Sequence, residues 1–267
     1  MLISSAQNPK VKYALKLQDK RSRDKTQHFL VEGYRELKRA HEAGRYIETL
    51  FTCPELFLGS NEEALIRSIE GDGRVVLPCT EKIFRLLSYR DRPDGLLAIA
   101  KQAHLGLADL DNVLGGNKSP LLIVVEAIEK PGNLGTILRS ADAVGVDAVI
   151  VCDQCTDIHN PNVVRASVGT LFTIPIIEAE GKEAMQWIRQ RGISVLAATP
   201  SGEHMYTEAN MLVPLAIAVG TEQLGLSPLW MEQATYRVRI PMRGVADSLN
   251  VAMATTLLLY EALRQRS

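Results

Sequence analysis

The sequence has no apolar run longer than about five residues, against the roughly 20 that a membrane-spanning helix needs. Its amino terminus, MLISSAQNPKVK, lacks the apolar core of a secretory signal. Both absences point to a cytoplasmic protein. Cysteine is scarce: four residues, at 53, 79, 152 and 155, are too few for a disulfide framework. Cys152-x-x-Cys155 has the spacing of half a zinc site or a redox pair, and His159 follows closely, yet no second pair and no fourth ligand accompany them. The expectation is no metal, and two thiols at the end of a buried strand. No G-x-G-x-x-G follows a predicted strand, and a P-loop, H-E-x-x-H and G-x-S-x-G are all missing, which removes several familiar enzyme classes.

Net charge is nearly absent too, with 30 Lys and Arg against 31 Asp and Glu over 267 residues. That balance conceals an asymmetry. Residues 1–40 hold ten basic side chains against four acidic ones, a surplus of +6 that leaves −7 for the rest. A basic arm on an acidic body suggests contact with a polyanion.

What is present is an ordinary globular composition, 46% hydrophobic and 23% charged, long enough for two modest domains. The first hundred residues alternate short helical and strand-like segments, with helices expected over 7–23, 33–44, 61–70 and 80–88, and strands over 28–31, 47–53, 74–77 and 96–100. Residues 102–120, QAHLGLADLDNVLGGNKSP, lose this periodicity and read as a linker. Beyond them come strands that are apolar on both faces (121–125, 148–151, 174–177, 194–198, 215–219, 236–240) with helical segments between, the pattern of a parallel sheet covered on both sides. The division expected is 1–103, a small α/β domain; 104–119, a linker; and 120–267, a parallel α/β domain. The last segment, 248–266, is a helix with two apolar stripes, Val251, Ala254, Thr255, Leu258 and Ala262 on one and Met253, Leu257 and Tyr260 on the other. One face can pack on the sheet, and the other calls for a partner, a second copy being one candidate.

Three clusters follow strands, where open α/β sheets bind ligands. In PGNLGTILRSADAVG (131–145), Asn133 can cap a helix, Gly135 admits a close backbone, and the Arg139 fork can hold a phosphate. Taken alone, a capped helix with a surface arginine is the better explanation, since caps of this kind are routine. In LAIAVGTEQLGLS (215–227), Gly220 and Gly225 bracket Glu222, a carboxylate at a strand end. In RIPMRGVADSLNVAMA (239–254), Ser248 or Asp247 can cap the final helix, with Ser248 and Asn250 in its first turn.

In this order and spacing, N-x-G-x-x-x-R, G-x-E-x-x-G and I-P-M followed by S-L-N-V-A resemble the three motifs of the SpoU (TrmH-like) RNA methyltransferases of the SPOUT superfamily. The segments SAQNPKVKYALKL (5–17) and FLVEGYRELKRA (29–40) look like that family's L30e-like RNA substrate-binding extension. The resemblance implies a deep trefoil knot in the carboxyl-terminal domain, a homodimer, S-adenosylmethionine as cofactor, and methyl transfer to a ribose 2′-hydroxyl. It places the catalytic positions on Asn133, Arg139, Glu222, Ser248 and Asn250, and cofactor contacts on Thr199, Pro200, Gly220, Ile240 and Leu249. Arg139 is read as a phosphate clamp, since free guanidinium seldom loses its proton; Glu222 either orients Arg139 or accepts the proton. RNA contact falls to Lys12, Lys16, Lys20, Arg21, Arg23, Arg35 and Arg165, with Arg90 and Arg92 as further candidates. Ribosomal, large-subunit RNA is the favoured substrate, transfer RNA the alternative, and a noncatalytic RNA-binding protein of the same fold the other class considered.

Overall fold

The computed structural model describes residues 2–154 and 156–267; Cys155, half of the Cys-x-x-Cys pair, lies outside them. The chain forms two compact units, one of residues 1–103 with 157–173, the other of 104–156 with 174–267.

In chain order the first unit contains α1 (Pro9–Lys16), α2 (Lys20–Thr26), β1 (His28–Glu32), α3 (Tyr34–Glu42), β2 (Ile47–Thr52), α4 (Glu62–Gly71), β3 (Val75–Pro78), α5 (Glu81–Leu87) and β4 (Leu96–Lys101). Its four strands pair in the order β1-β4-β2-β3, antiparallel except for β2 with β3. The single helix expected over 7–23 is two, because Asp19 caps a new one, accepting from Ser22 N at 3.1 Å. Leu30, Phe51, Phe84, Leu97 and Ile99 lie together in the core of this unit.

The second unit begins with α6 (Leu107–Leu114), inside the stretch that reads as a linker. Its Leu110 is fully buried, and Gly115 closes it in the left-handed conformation. The short helix sits among Gly, Asn and Asp, which hides its apolar face from a periodicity reading. Then follow β5 (Leu121–Glu126), α7 (Pro131–Val144) and β6 (Ala148–Cys152). The chain next contributes α8 (Pro161–Ser167) to the first unit. It continues through β7 (Ile176–Ala179), α9 (Gly181–Gln190), β8 (Ser194–Ala198), β9 (His204–Met205), β10 (Leu215–Val219), α10 (Pro228–Gln233), β11 (Tyr236–Arg239) and α11 (Val251–Arg266).

These strands form a seven-stranded sheet in the order β7-β6-β5-β10-β8-β11-β9, parallel throughout. All residues of β5, β6 and β10 are buried, as their two-faced apolar composition requires. Cys152 ends β6, where burial pushes its thiol well above the usual range. Among the described residues no helix is long and apolar enough to cross a membrane.

Candidate active site

β5 and β10 are neighbours in register, with Val125 beside Val219. Their onward connections diverge: β5 leads through α7 to β6 on one side, β10 through α10 to β11 on the other. Diverging connections at adjacent parallel strands open a crevice beyond the carboxyl ends. Here that crevice is an open cleft lined by Ile128, Lys130 and Asn133 on the β5 side and by Thr221, Glu222 and Gln223 on the β10 side.

Glu222 is the focus of the cleft. Its Oε1 accepts from Asn133 Nδ2 at 2.8 Å and from Asn250 Nδ2 at 2.7 Å, and its Oε2 is met by the Lys130 ammonium. Asn250 Nδ2 also donates to Asn133 Oδ1 at 3.1 Å. The Lys130 ammonium, with the Asn133 and Asn250 amides, holds the Glu222 carboxyl below its usual range. Glu222 is therefore an ionised acceptor at neutral pH.

Each partner is placed by its own element. Asn133 lies in the first turn of α7, which Pro131 opens; it does not cap that helix, because it is the third residue inside it and the N-cap position falls on Lys130. α11 packs along α7, with Ser140 and Thr256 sharing a hydrogen bond at 2.7 Å, and this brings the start of α11 to Asn133. The cap of α11 is Asn250, whose Oδ1 accepts from Ala252 N at 3.0 Å, rather than Ser248 or Asp247. One amide group thus caps the helix with its oxygen and holds Glu222 with its nitrogen.

The Glu222 loop is tightly closed. Thr221 and Gly225 exchange both backbone hydrogen bonds at 3.0 Å, and a Cβ on Gly220 would sit 2.2 Å from the Gly225 carbonyl oxygen. Buried Glu126, at the end of β5, accepts from Ser227 N at 2.7 Å and pins the loop's far end.

Arg139 is not drawn into the cluster. It is exposed on α7 and has no ion pair or hydrogen-bonding side-chain partner among the described residues, so Glu222 orients Asn133, Asn250 and Lys130 rather than Arg139. Ser248 is likewise exposed. Thr199, Gly220 and Ile240 follow β8, β10 and β11, consecutive neighbours in the sheet, with Pro200 and Leu249 in the loops beyond. Thr199 N donates to Val238 O at 3.0 Å, and a Cβ on Gly202 would lie 2.4 Å from the Val238 backbone, so these loops are closely packed.

The basic arm divides. Lys12, Lys16, Lys20, Arg21, Arg35 and Arg165 are exposed, and none forms an ion pair among the described residues. Arg23 differs: it is 1% exposed, its Nε and Nη2 reach Asp157 at 2.8 and 2.7 Å, and its Nη1 donates to the carbonyls of Leu17 and Gln18. With its donors used internally, Arg23 is a structural residue and not an RNA contact. Arg90 is also committed, to Glu36 at 2.6 Å and to the Glu32 carbonyl.

Lys130 and Glu126 were not legible as site residues. Lys130 adjoins the first motif, but its partner stands 92 positions away.

Comparison with known proteins shows the family. Residues 120–260 match the SpoU rRNA Methylase family, and residues 8–98 match an MRM3-like substrate binding domain. The chain is 31% identical over 256 residues to the 23S rRNA (uridine(2479)-2'-O)-methyltransferase of Streptomyces viridochromogenes, covering 94% of this chain and 87% of that one. A solved RNA 2'-O ribose methyltransferase aligns at 39% identity with a TM-score of 0.85, over 100% of this chain and 99% of the other. The AdoMet-bound rRNA methyltransferase from Sinorhizobium meliloti aligns at 32% identity and a TM-score of 0.88, over 99% and 97%. With the three motifs converging on one cleft and the family match running over residues 120–260, the chain belongs to the SpoU rRNA methylases.

Proposed function

We propose that this protein transfers a methyl group from S-adenosylmethionine to a ribose 2′-hydroxyl of large-subunit ribosomal RNA. The observation that carries the reading is Glu222, an ionised carboxylate fixed by two amides in a cleft at the ends of the paired parallel strands β5 and β10. When bound, S-adenosylmethionine supplies a methyl group already activated by its sulfonium. The chain's residues fit that group: loops after β8, β10 and β11 rise side by side, two of them closed tightly at Gly202 and Gly220. Thr199, Pro200, Gly220, Ile240 and Leu249 are assigned to hold it.

What remains for the protein is alignment and removal of one proton. Glu222 is assigned as the acceptor of the hydroxyl proton. Asn133, Asn250 and Ser248 position the ribose and the carboxylate, and Arg139 clamps a neighbouring phosphate. Lys12, Lys16, Lys20, Arg21, Arg35 and Arg165 bind the RNA backbone. The exposed stripe of Met253, Leu257 and Tyr260 on α11, 63%, 42% and 51% exposed, supports assembly as a homodimer through the knotted domain. The enzyme acts in the cytoplasm, where its substrate resides.

The reading is tested by mapping 2′-O-methyl positions in ribosomal and transfer RNA from cells with and without the gene. Loss of one large-subunit position is expected. A lost transfer RNA position reassigns the substrate, and no lost position, with no label transferred from S-adenosylmethionine to bulk RNA, leaves only a noncatalytic RNA-binding role.

A further inference from the structure

The two oxygens of Glu222 are held by different chemistry. Oε1 is gripped by two side-chain amides, each rooted in a helix: Asn133 in the first turn of α7, Asn250 at the cap of α11. Among the described residues Oε2 has only the Lys130 ammonium, at the end of a long side chain that is 68% exposed. Among the described residues the Lys130 ammonium has no hydrogen-bond or ion-pair partner besides Glu222. An ion pair this exposed is screened by solvent and contributes little net stability. A second anion entering the cleft competes for the ammonium on nearly equal terms, whereas the amide pair offers such an anion little.

RNA brings an anion at every nucleotide. We propose that Lys130 is a displaceable guard on Glu222: the backbone phosphate beside the target ribose draws the ammonium away and releases Oε2 to the 2′-hydroxyl. This rests on the methyltransferase reading above. The amides keep the carboxylate in place while its second oxygen is freed. The hydroxyl proton then passes to Oε2 as the hydroxyl oxygen gains the methyl group, and the electron pair of the broken carbon–sulfur bond is left on sulfur. Docking of the RNA backbone and availability of the base become one event, and without RNA the carboxylate stays masked.

The test uses the full-length enzyme, large-subunit ribosomal RNA from cells lacking the gene, and labelled S-adenosylmethionine. In Lys130→Ala the KM for RNA is expected to rise about tenfold with most of the loss in KM rather than kcat. Independently of turnover, the slope of log affinity against log salt is expected to shrink by about 0.7–0.9, one phosphate contact. Lys130→Arg restores both. A fall in kcat with KM and salt slope unchanged makes Lys130 a fixed partner of Glu222 and overturns the proposal, as does a variant indistinguishable from wild type. Wild-type enzyme that binds the RNA but transfers no methyl overturns the methyltransferase reading itself, and the guard role with it.

Discussion

Asn250 donates its side-chain amide to Asn133 Oδ1 at 3.1 Å across a sequence separation of 117 residues, joining the start of α11 to the start of α7. Both amides then converge on one oxygen of Glu222. The first and third motifs therefore serve as a clamp for the second.

Glu222→Gln puts an amide where two amides and an ammonium donate. If Glu222 takes the hydroxyl proton, the single-turnover rate falls at least about a hundredfold, ~2.7 kcal/mol of transition-state stabilisation. The melting temperature stays near wild type, because the carboxylate lies in an open cleft. A rate within about tenfold of wild type removes Glu222 from the proton transfer.

Arg139→Ala abolishes methyl transfer while binding of S-adenosylmethionine, followed by calorimetry, survives. Arg139 is exposed and has no side-chain partner among the described residues, so its truncation leaves no orphaned group behind. Turnover reduced by less than about tenfold, under ~1.4 kcal/mol, rules out the clamp.

Arg23→Ala acts on stability, not on RNA. It strands Asp157, whose side chain is 9% exposed, and two carbonyls, and costs about 3–5 kcal/mol in denaturant unfolding. Joint replacement of Lys12, Lys16, Lys20 and Arg21 by Ala does the reverse, flattening the salt dependence of RNA binding with little change in melting. If the quadruple variant keeps the wild-type salt slope, the basic arm is not the RNA contact.

The Glu222 carboxyl titrates below the usual 4.5, chiefly because of Lys130, then Asn133 and Asn250. A depressed folded-state value means that the folded enzyme resists protonation: the cluster is fully present above the ordinary carboxylate value and is lost as pH falls through the depressed one. Carbon-13 NMR of Glu222 in the RNA-free enzyme reads a midpoint under 4.5, and Lys130→Ala moves it upward. A wild-type midpoint at or above the ordinary value contradicts the ion pair.

Much was readable from local pattern. LLIVV and LAIAV are apolar at every position, and only a central strand covered on both faces buries such a run without waste, so β5 and β10 were legible one at a time. The three motifs were legible because their order survives in the linear chain. α6 was not, since its one fully buried leucine is surrounded by turn-forming residues. Nor was the division of the basic arm: Arg23 looks like Arg21 in the sequence, and only Asp157, 134 positions away, makes it a core residue.

The sequence by itself determined the fold class through its apolar periodicity and the family through the resemblance of its three motifs, because strand composition and motif order are local properties. Tertiary structure alone decided who holds whom. Parallel pairing of β5 with β10 sets Val125 beside Val219, and from that register the Lys130 and Glu222 loops emerge together. Packing of α11 on α7 adds Asn250. A hydrogen bond needs donor and acceptor within about 3.2 Å, and a separation of 92 or 117 residues says nothing about that distance until the sheet has closed.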